Sequence, residues 1–187
     1  MELFSEVLSG NLLEELMALA LAEARRAAEE LEVPVGAVIW TDTASLSSPA
    51  PSPASSLGGA LDAQGVSRGL ILGRGHNKVE QLQRATAHAE MLAIQEASAT
   101  LENWRLTNSL LVCTLEPCVM CLGALRLARI PAVVFGAGDS RFGAMGSVYN
   151  LVLDDRTGPA PKFLAGVRKN ECSDLLKSFF AARRVAA

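Results

Sequence analysis

The sequence predicts an α/β fold, and three observations carry that prediction. Residues 86–136 alternate helix, strand, helix, strand, the order that produces parallel strands joined by crossover helices. Residues 109–114 (SLLVCT) form a continuous apolar run, as a strand buried on both faces requires. Half of the 187 residues are apolar, enough for one packed core. The expectation is a single domain over 1–187.

Taken in order, residues 11–30 read as an amphipathic helix. Leu12, Leu13, Leu16, Leu19, Ala20, Ala24 and Ala27 fall at helical spacing, and Asn11, with Glu14 three positions on, reads as its N-cap. Residues 33–40 are apolar and β-branched, a strand with Pro34 at its start, where proline is tolerated. Residues 44–60 (ASLSSPAPSPASSLGGA) contain no charge and only Ser, Ala, Pro, Gly and Leu. Such a composition offers no packing face, so a flexible insertion is expected at about 41–67. A second strand follows at 68–75. The insertion then lengthens a hairpin turn, where added length costs little closure entropy.

Residues 86–101 read as a helix capped by Thr86. Pro117 opens the next helix at its favoured first position, and Leu122 and Leu125 carry it to about Arg129. Residues 130–136 return as a strand, and 171–184 read as a closing helix with Leu175, Leu176, Phe179 and Phe180 on one face.

The formal charge of −3 excludes a strongly basic nucleic-acid coat. The charge is uneven: residues 1–100 carry six basic and thirteen acidic side chains, and 101–187 carry eleven basic and seven acidic. A local basic face is compatible with that split. The start MELFSEVLSG lacks a basic leader, and no apolar run reaches the roughly 18 residues of a membrane span. A cytoplasmic protein with no membrane partner is expected, and in that compartment disulfides are rare.

Chemistry concentrates in two blocks. His88 and Glu90 sit at the start of one helix, and Cys118 and Cys121 at the start of the next, 30 residues after His88. One imidazole and two thiolates suit a single Zn2+ ion. Helix N-termini favour the thiolate form. Three protein ligands leave a fourth tetrahedral position for water, the mark of a catalytic rather than a structural site. Glu90, two residues past His88, stands where a carboxylate can move a proton. The pairing of H-x-E with P-C-x-x-C is the general signature of zinc nucleobase deaminases. A structural zinc site would need a fourth ligand, for which His76, Cys113 or Cys172 could be proposed; otherwise all three read as structural residues.

The flanking residues resemble the bacterial tRNA-specific adenosine deaminases, which convert the wobble adenosine of an anticodon to inosine. The resemblance runs over about 12–40 and 68–184. It rests on Val33-Pro-Val-Gly-Ala-Val38, Gly75-His-Asn77, Thr86-Ala-His-Ala-Glu90 and Asn103-Trp-Arg-Leu106. It continues through Thr114-Leu-Glu-Pro-Cys-Val-Met-Cys121, Val133-Val-Phe-Gly-Ala137, Asp139 and Gly143-Ala-Met-Gly-Ser147. The resemblance implies a three-layer α-β-α, cytidine deaminase-like fold with a five-stranded mixed sheet. It implies one zinc per subunit on His88, Cys118 and Cys121, with Glu90 as proton shuttle. It implies a homodimer acting on a tRNA anticodon stem-loop. By the same analogy Asn77, Val35, the Ala87 backbone and Asp139 contact the target nucleotide or its neighbours. Arg84-Ala85, Gly138 and residues 153–164 depart from the family pattern. Two other functions stay open: deamination of a free guanine- or cytosine-type base or nucleoside, and a non-catalytic zinc-stabilised RNA-binding module.

Overall fold

A computed structural model of the chain describes residues 10–42 and 69–186. The elements run α1 (Gly10–Glu29), β1 (Gly36–Asp42), β2 (Gly69–His76), α2 (Val79–Leu82), α3 (Ala89–Thr100), β3 (Ser109–Leu115), α4 (Val119–Leu127), β4 (Ala132–Ala137), β5 (Lys162–Ala165) and α5 (Lys169–Ala186). The insertion expected at about 41–67 lies outside the described residues, apart from Thr41 and Asp42, which continue β1.

The strands form one mixed sheet in the order β2-β1-β3-β4-β5. β1 pairs antiparallel with β2 and β3, and β3, β4 and β5 pair in parallel. The parallel β3–α4–β4 unit is the one the helix–strand alternation predicts. Side-chain alternation along the strands divides the core into two layers. Ala37, Ile39, Leu111, Val133 and Phe135 face α3 and α4. Val38, Trp40, Val112 and Val134 face α1, with Cys172 of α5 in the same layer. The result is the expected α-β-α sandwich.

Four local expectations shift. Asn11 does not cap α1: it lies inside the helix and its amide donates to Glu15 Oε1 at 3.1 Å. α3 begins at Ala89 with His88 as N-cap, three residues later than expected. Thr86 is left in a turn closed by Ala87 N–H to Arg84 O at 3.0 Å. α4 begins at Val119 with Cys118 as N-cap, so Pro117 precedes the helix instead of opening it. β5, an exposed four-residue edge strand, follows a Pro- and Gly-rich stretch and carries no alternating pattern; Phe163 stacks on Phe135 with centroids 5.8 Å apart.

Tight backbone contacts place α3. A Cβ on Gly75 would sit 2.2 Å from Ala89 O, so only glycine lets the first turn of α3 lie this close to β2. The far side of β2 is held by the C-terminal end of α1. Leu31 takes the left-handed conformation (φ 63°), and Glu32 N–H returns to Ala27 O at 2.8 Å, a closure that reverses the chain. Buried His76, at the end of β2, meets Glu23 Oε2 through Nδ1 at 2.9 Å and Glu30 Oε2 through Nε2 at 3.2 Å. It is a structural histidine, away from any metal.

Burial pushes the Glu23 carboxyl up, but bonds from His76 and Arg26 outweigh it and leave the group below its ordinary 4.5. The bond from His76 likewise holds Glu30 down. Depressed carboxyl values stabilise the fold above the unfolded value of about 4.5, and that stabilisation is lost as pH falls through the folded values. His76→Gln is therefore expected to lower Tm at pH 6 by roughly 2–4 °C per kcal/mol removed, and by clearly less at pH 3. Thermal melts of both proteins at the two pH values check this; an equal drop at both would contradict it.

Candidate active site

His88 and Cys118 both sit in extended backbone, with φ, ψ of −73°, 153° and −76°, 175°. Neither side chain caps its own helix, so both are free to turn toward a common point. Cys121, three residues into the next turn, returns to the same face. Cys118 Sγ lies 3.7 Å from His88 Nδ1, Cys121 Sγ lies 3.6 Å from it, and the two sulfurs are 3.6 Å apart. A tetrahedral zinc, with bonds of about 2.3 Å to sulfur and 2.0–2.1 Å to nitrogen, holds such donors roughly 3.5–3.8 Å apart. The triangle therefore fits one ion. Among the described residues no further His, Cys, Asp or Glu joins it. Cys113 is buried within β3, and Cys172 packs against Met17 Sδ at 3.9 Å.

The protons are unevenly held. The hydrogen bond from Cys121, together with His88, pulls the Cys118 thiol down to about 4. Its bond to Cys118, reinforced by burial, pushes the Cys121 thiol far up. The hydrogen bond to Cys118 raises His88. These shifts favour the thiolate at Cys118 and the thiol at Cys121. Two helix N-termini add their positive ends beside the sulfurs.

Glu90 lies in the first turn of α3, 4 % exposed. Burial lifts its carboxyl to about 7. It borders a cavity of about 530 Å³ at the C-terminal ends of β3 and β4, together with His88, Cys118, Val35, Asn77 and Asp139. Val35 is buried, and its carbonyl accepts Asn77 N–H at 3.0 Å. Asp139 Oδ1 accepts Arg141 N–H at 2.8 Å, which closes a tight turn at the cavity border. Ala87 is buried; its carbonyl accepts Lys78 N–H at 3.0 Å and keeps one lone pair. A larger apolar groove of about 1020 Å³, at Trp104, Leu127 and Pro131 near the opposite strand ends, holds none of these groups.

Residue types and spacing do not reveal two buried carboxylates at the cavity. Glu32 is 1 % exposed, accepts Asn77 Nδ2 at 2.9 Å and Gln81 N–H at 2.6 Å, and so fixes the Asn77 amide. Glu116 is 2 % exposed and accepts three backbone N–H groups from residues 139–147. Its place in Thr114-Leu-Glu-Pro-Cys118, two residues before a ligand, is the one signal that could have marked it.

Residues 59–137 match the cytidine and deoxycytidylate deaminase zinc-binding region. The chain is 39 % identical over 165 residues to the tRNA-specific adenosine deaminase of Bacillus subtilis, covering 88 % of this chain and 86 % of that protein. It is 37 % identical over 165 residues to the tRNA-specific adenosine deaminase of Streptococcus pyogenes serotype M1, covering 88 % and 81 %. A solved chain from structural studies of A-to-I editing by tRNA:A34 deaminases superposes with a TM-score of 0.68 at 32 % identity, over 86 % of this chain and 98 % of that one. The guanine deaminase of Nitrosomonas europaea shares the fold, with a TM-score of 0.65 at 23 % identity, over 90 % and 84 %. With the donor triangle and Glu90 inside the matched region, the chain belongs to the tRNA-specific adenosine deaminase family.

Proposed function

We propose that this chain hydrolyses adenosine to inosine at the wobble position of a tRNA anticodon. It would do so as one deaminase domain over 1–187, its insertion joining β1 to β2, working as a homodimer in the cytoplasm. The observation that carries the proposal is a three-donor metal triangle beside a buried carboxyl, both at one cavity with ample room for a nucleobase. His88, Cys118 and Cys121 would hold zinc, and bound zinc supplies the Lewis acidity that brings a water toward neutral pKa.

Glu90 handles the protons. With its carboxyl raised to about 7 by burial, it can both take and return a proton near neutral pH. Its carboxylate removes one from the attacking water and passes it to ring nitrogen N1 as the C6–O bond forms and the C6=N1 double bond opens. It then takes the remaining hydroxyl proton and delivers it to the exocyclic amine as the C6=O bond forms and the C6–N6 bond breaks, and ammonia leaves. Val35 supplies an apolar wall for the base, and Asn77, held by Glu32, supplies a fixed amide.

The surroundings support this substrate and assembly. Arg141, Lys177 and Arg183 border the cavity with Phe142 and Phe180. Cations beside aromatic rings suit phosphates and unstacked bases, where a free base would need neither. An anticodon loop already presents unpaired bases, which lowers the cost of delivering one. Val119, Gly123 and Leu127 lie at i, i+4 and i+8 on an exposed face of α4, a stripe suited to a second copy. No described helix is long and apolar enough to cross a membrane. All four cysteines are free, as in a reducing compartment.

Zinc-loaded protein is expected to form inosine in an anticodon stem-loop carrying a wobble adenosine. It should leave free guanine and cytidine unchanged. Activity on the free compounds alone would favour the nucleoside-type alternative. Glu90→Ala should cut kcat by roughly 10²–10⁴-fold while zinc content holds. Loss of zinc instead would show that the carboxyl serves as a ligand. Titrating zinc into metal-free protein at pH 7 should release about one to two protons per ion, from Cys121 and His88. Calorimetry in buffers of different ionisation enthalpy measures that number, and a value near zero would contradict the proton distribution described above.

A further inference from the structure

The small-residue run Gly143-Ala-Met-Gly-Ser147 has no part in metal binding or proton transfer, and the structure ties it to one side chain. Glu116 directly follows β3, two residues before Cys118, and its backbone N–H bonds Ala137 O at 2.8 Å. Its carboxylate points into the loop that follows β4. Oε2 accepts Asp139 N–H at 3.1 Å, and Oε1 accepts Met145 N–H at 2.8 Å and Ser147 N–H at 3.1 Å. The loop also bridges Cys118 at Gly143, and Ala144 N–H reaches Pro117 O at 3.0 Å.

The fit is close. A Cβ on Gly143 would stand 2.5 Å from Glu116 Oε2 and 2.6 Å from Asp139 O. Glycine at that position is what lets the loop wrap the carboxylate. The same loop carries Asp139, Arg141 and Phe142 to the border of the cavity, and Arg141 lies over the Phe142 ring at 5.4 Å. Three side chains facing the substrate thus depend on a loop whose N–H groups converge on a single buried anion.

We propose that Glu116 is a positioning residue for substrate binding: its carboxylate sets the shape of loop 138–147 and so places Asp139, Arg141 and Phe142 against the nucleotides flanking the target. This rests on the proposed action on an anticodon stem-loop. The three backbone partners are N–H donors and the Ser147 hydroxyl adds a further bond, so both oxygens must accept. A glutamine would set its own N–H₂ against one of them, which is a repulsive contact in a buried place.

The test compares full-length, zinc-loaded wild type with Glu116→Gln and Gly143→Ala. The second variant keeps the carboxylate chemically intact but crowds both it and the loop. Inosine formation in the stem-loop gives KM and kcat. Fluorescence anisotropy with the same RNA, each protein also carrying Glu90→Ala, gives the affinity without turnover. Both variants should keep one zinc per chain, bind the stem-loop about tenfold or more weakly, and raise KM in step, with kcat within about threefold of wild type. Unchanged affinity in both, or a loss confined to kcat or to zinc content, would overturn the proposal. If Glu116→Gln does not fold, Gly143→Ala decides by the same criteria. A wild type that neither binds nor deaminates the stem-loop would overturn the proposed function and this role together, whereas an active wild type with indifferent variants would overturn this role alone.

Discussion

Holding His88 Nδ1, Cys118 Sγ and Cys121 Sγ within 3.7 Å of one another requires two helices to begin at one point in space. The sheet makes that possible. β2 delivers the chain toward His88, β3 delivers it to Cys118, and the glycine-tight contact of β2 with α3 fixes the distance between them. N-cap geometry does the rest: an extended residue just before a helix points its side chain away from the helix axis. Both ligands use that position, and neither spends its side chain on capping. The cavity opens at the same strand ends, so the donor triangle, the cavity and its basic border share one end of the sheet.

Four buried glutamates sort themselves by what they touch. Glu23 is met by His76 and Arg26, Glu32 by the Asn77 amide and Gln81 N–H, and Glu116 by a ring of backbone N–H groups. Glu90 has only a backbone N–H, the nearby His88 and the Cys121 thiol to offset its burial, which outweighs them, and its carboxyl rises to about 7. Three of the carboxylates organise structure around themselves. The fourth is left at a value suited to exchanging protons, as active sites arrange. The same comparison separates His76 from His88: one imidazole is enclosed by carboxylates, the other faces two thiols.

The ligand set and the parallel core were legible because they are written in short spacings. H-x-E and C-x-x-C bring their own geometry, and an apolar run such as 109–114 has few places to go. Helix starts were less legible. Thr86 and Pro117 are good capping and first-turn residues, yet the chain begins each helix two or three residues later. Tertiary contacts, such as Lys78 N–H to Ala87 O, hold the preceding turn open. β5 escaped because an exposed edge strand needs no alternation. Glu32 and Glu116 escaped because their partners lie 45 to 49 and 23 to 31 residues away, separations at which local pattern carries no information.

X-ray absorption at the zinc edge of the loaded protein reads directly whether the three-donor site is open. Two sulfurs and one imidazole nitrogen are expected, with one remaining light-atom ligand that exchanges with solvent. A third sulfur or a second imidazole, closing the coordination with protein alone, would contradict it and make the centre structural.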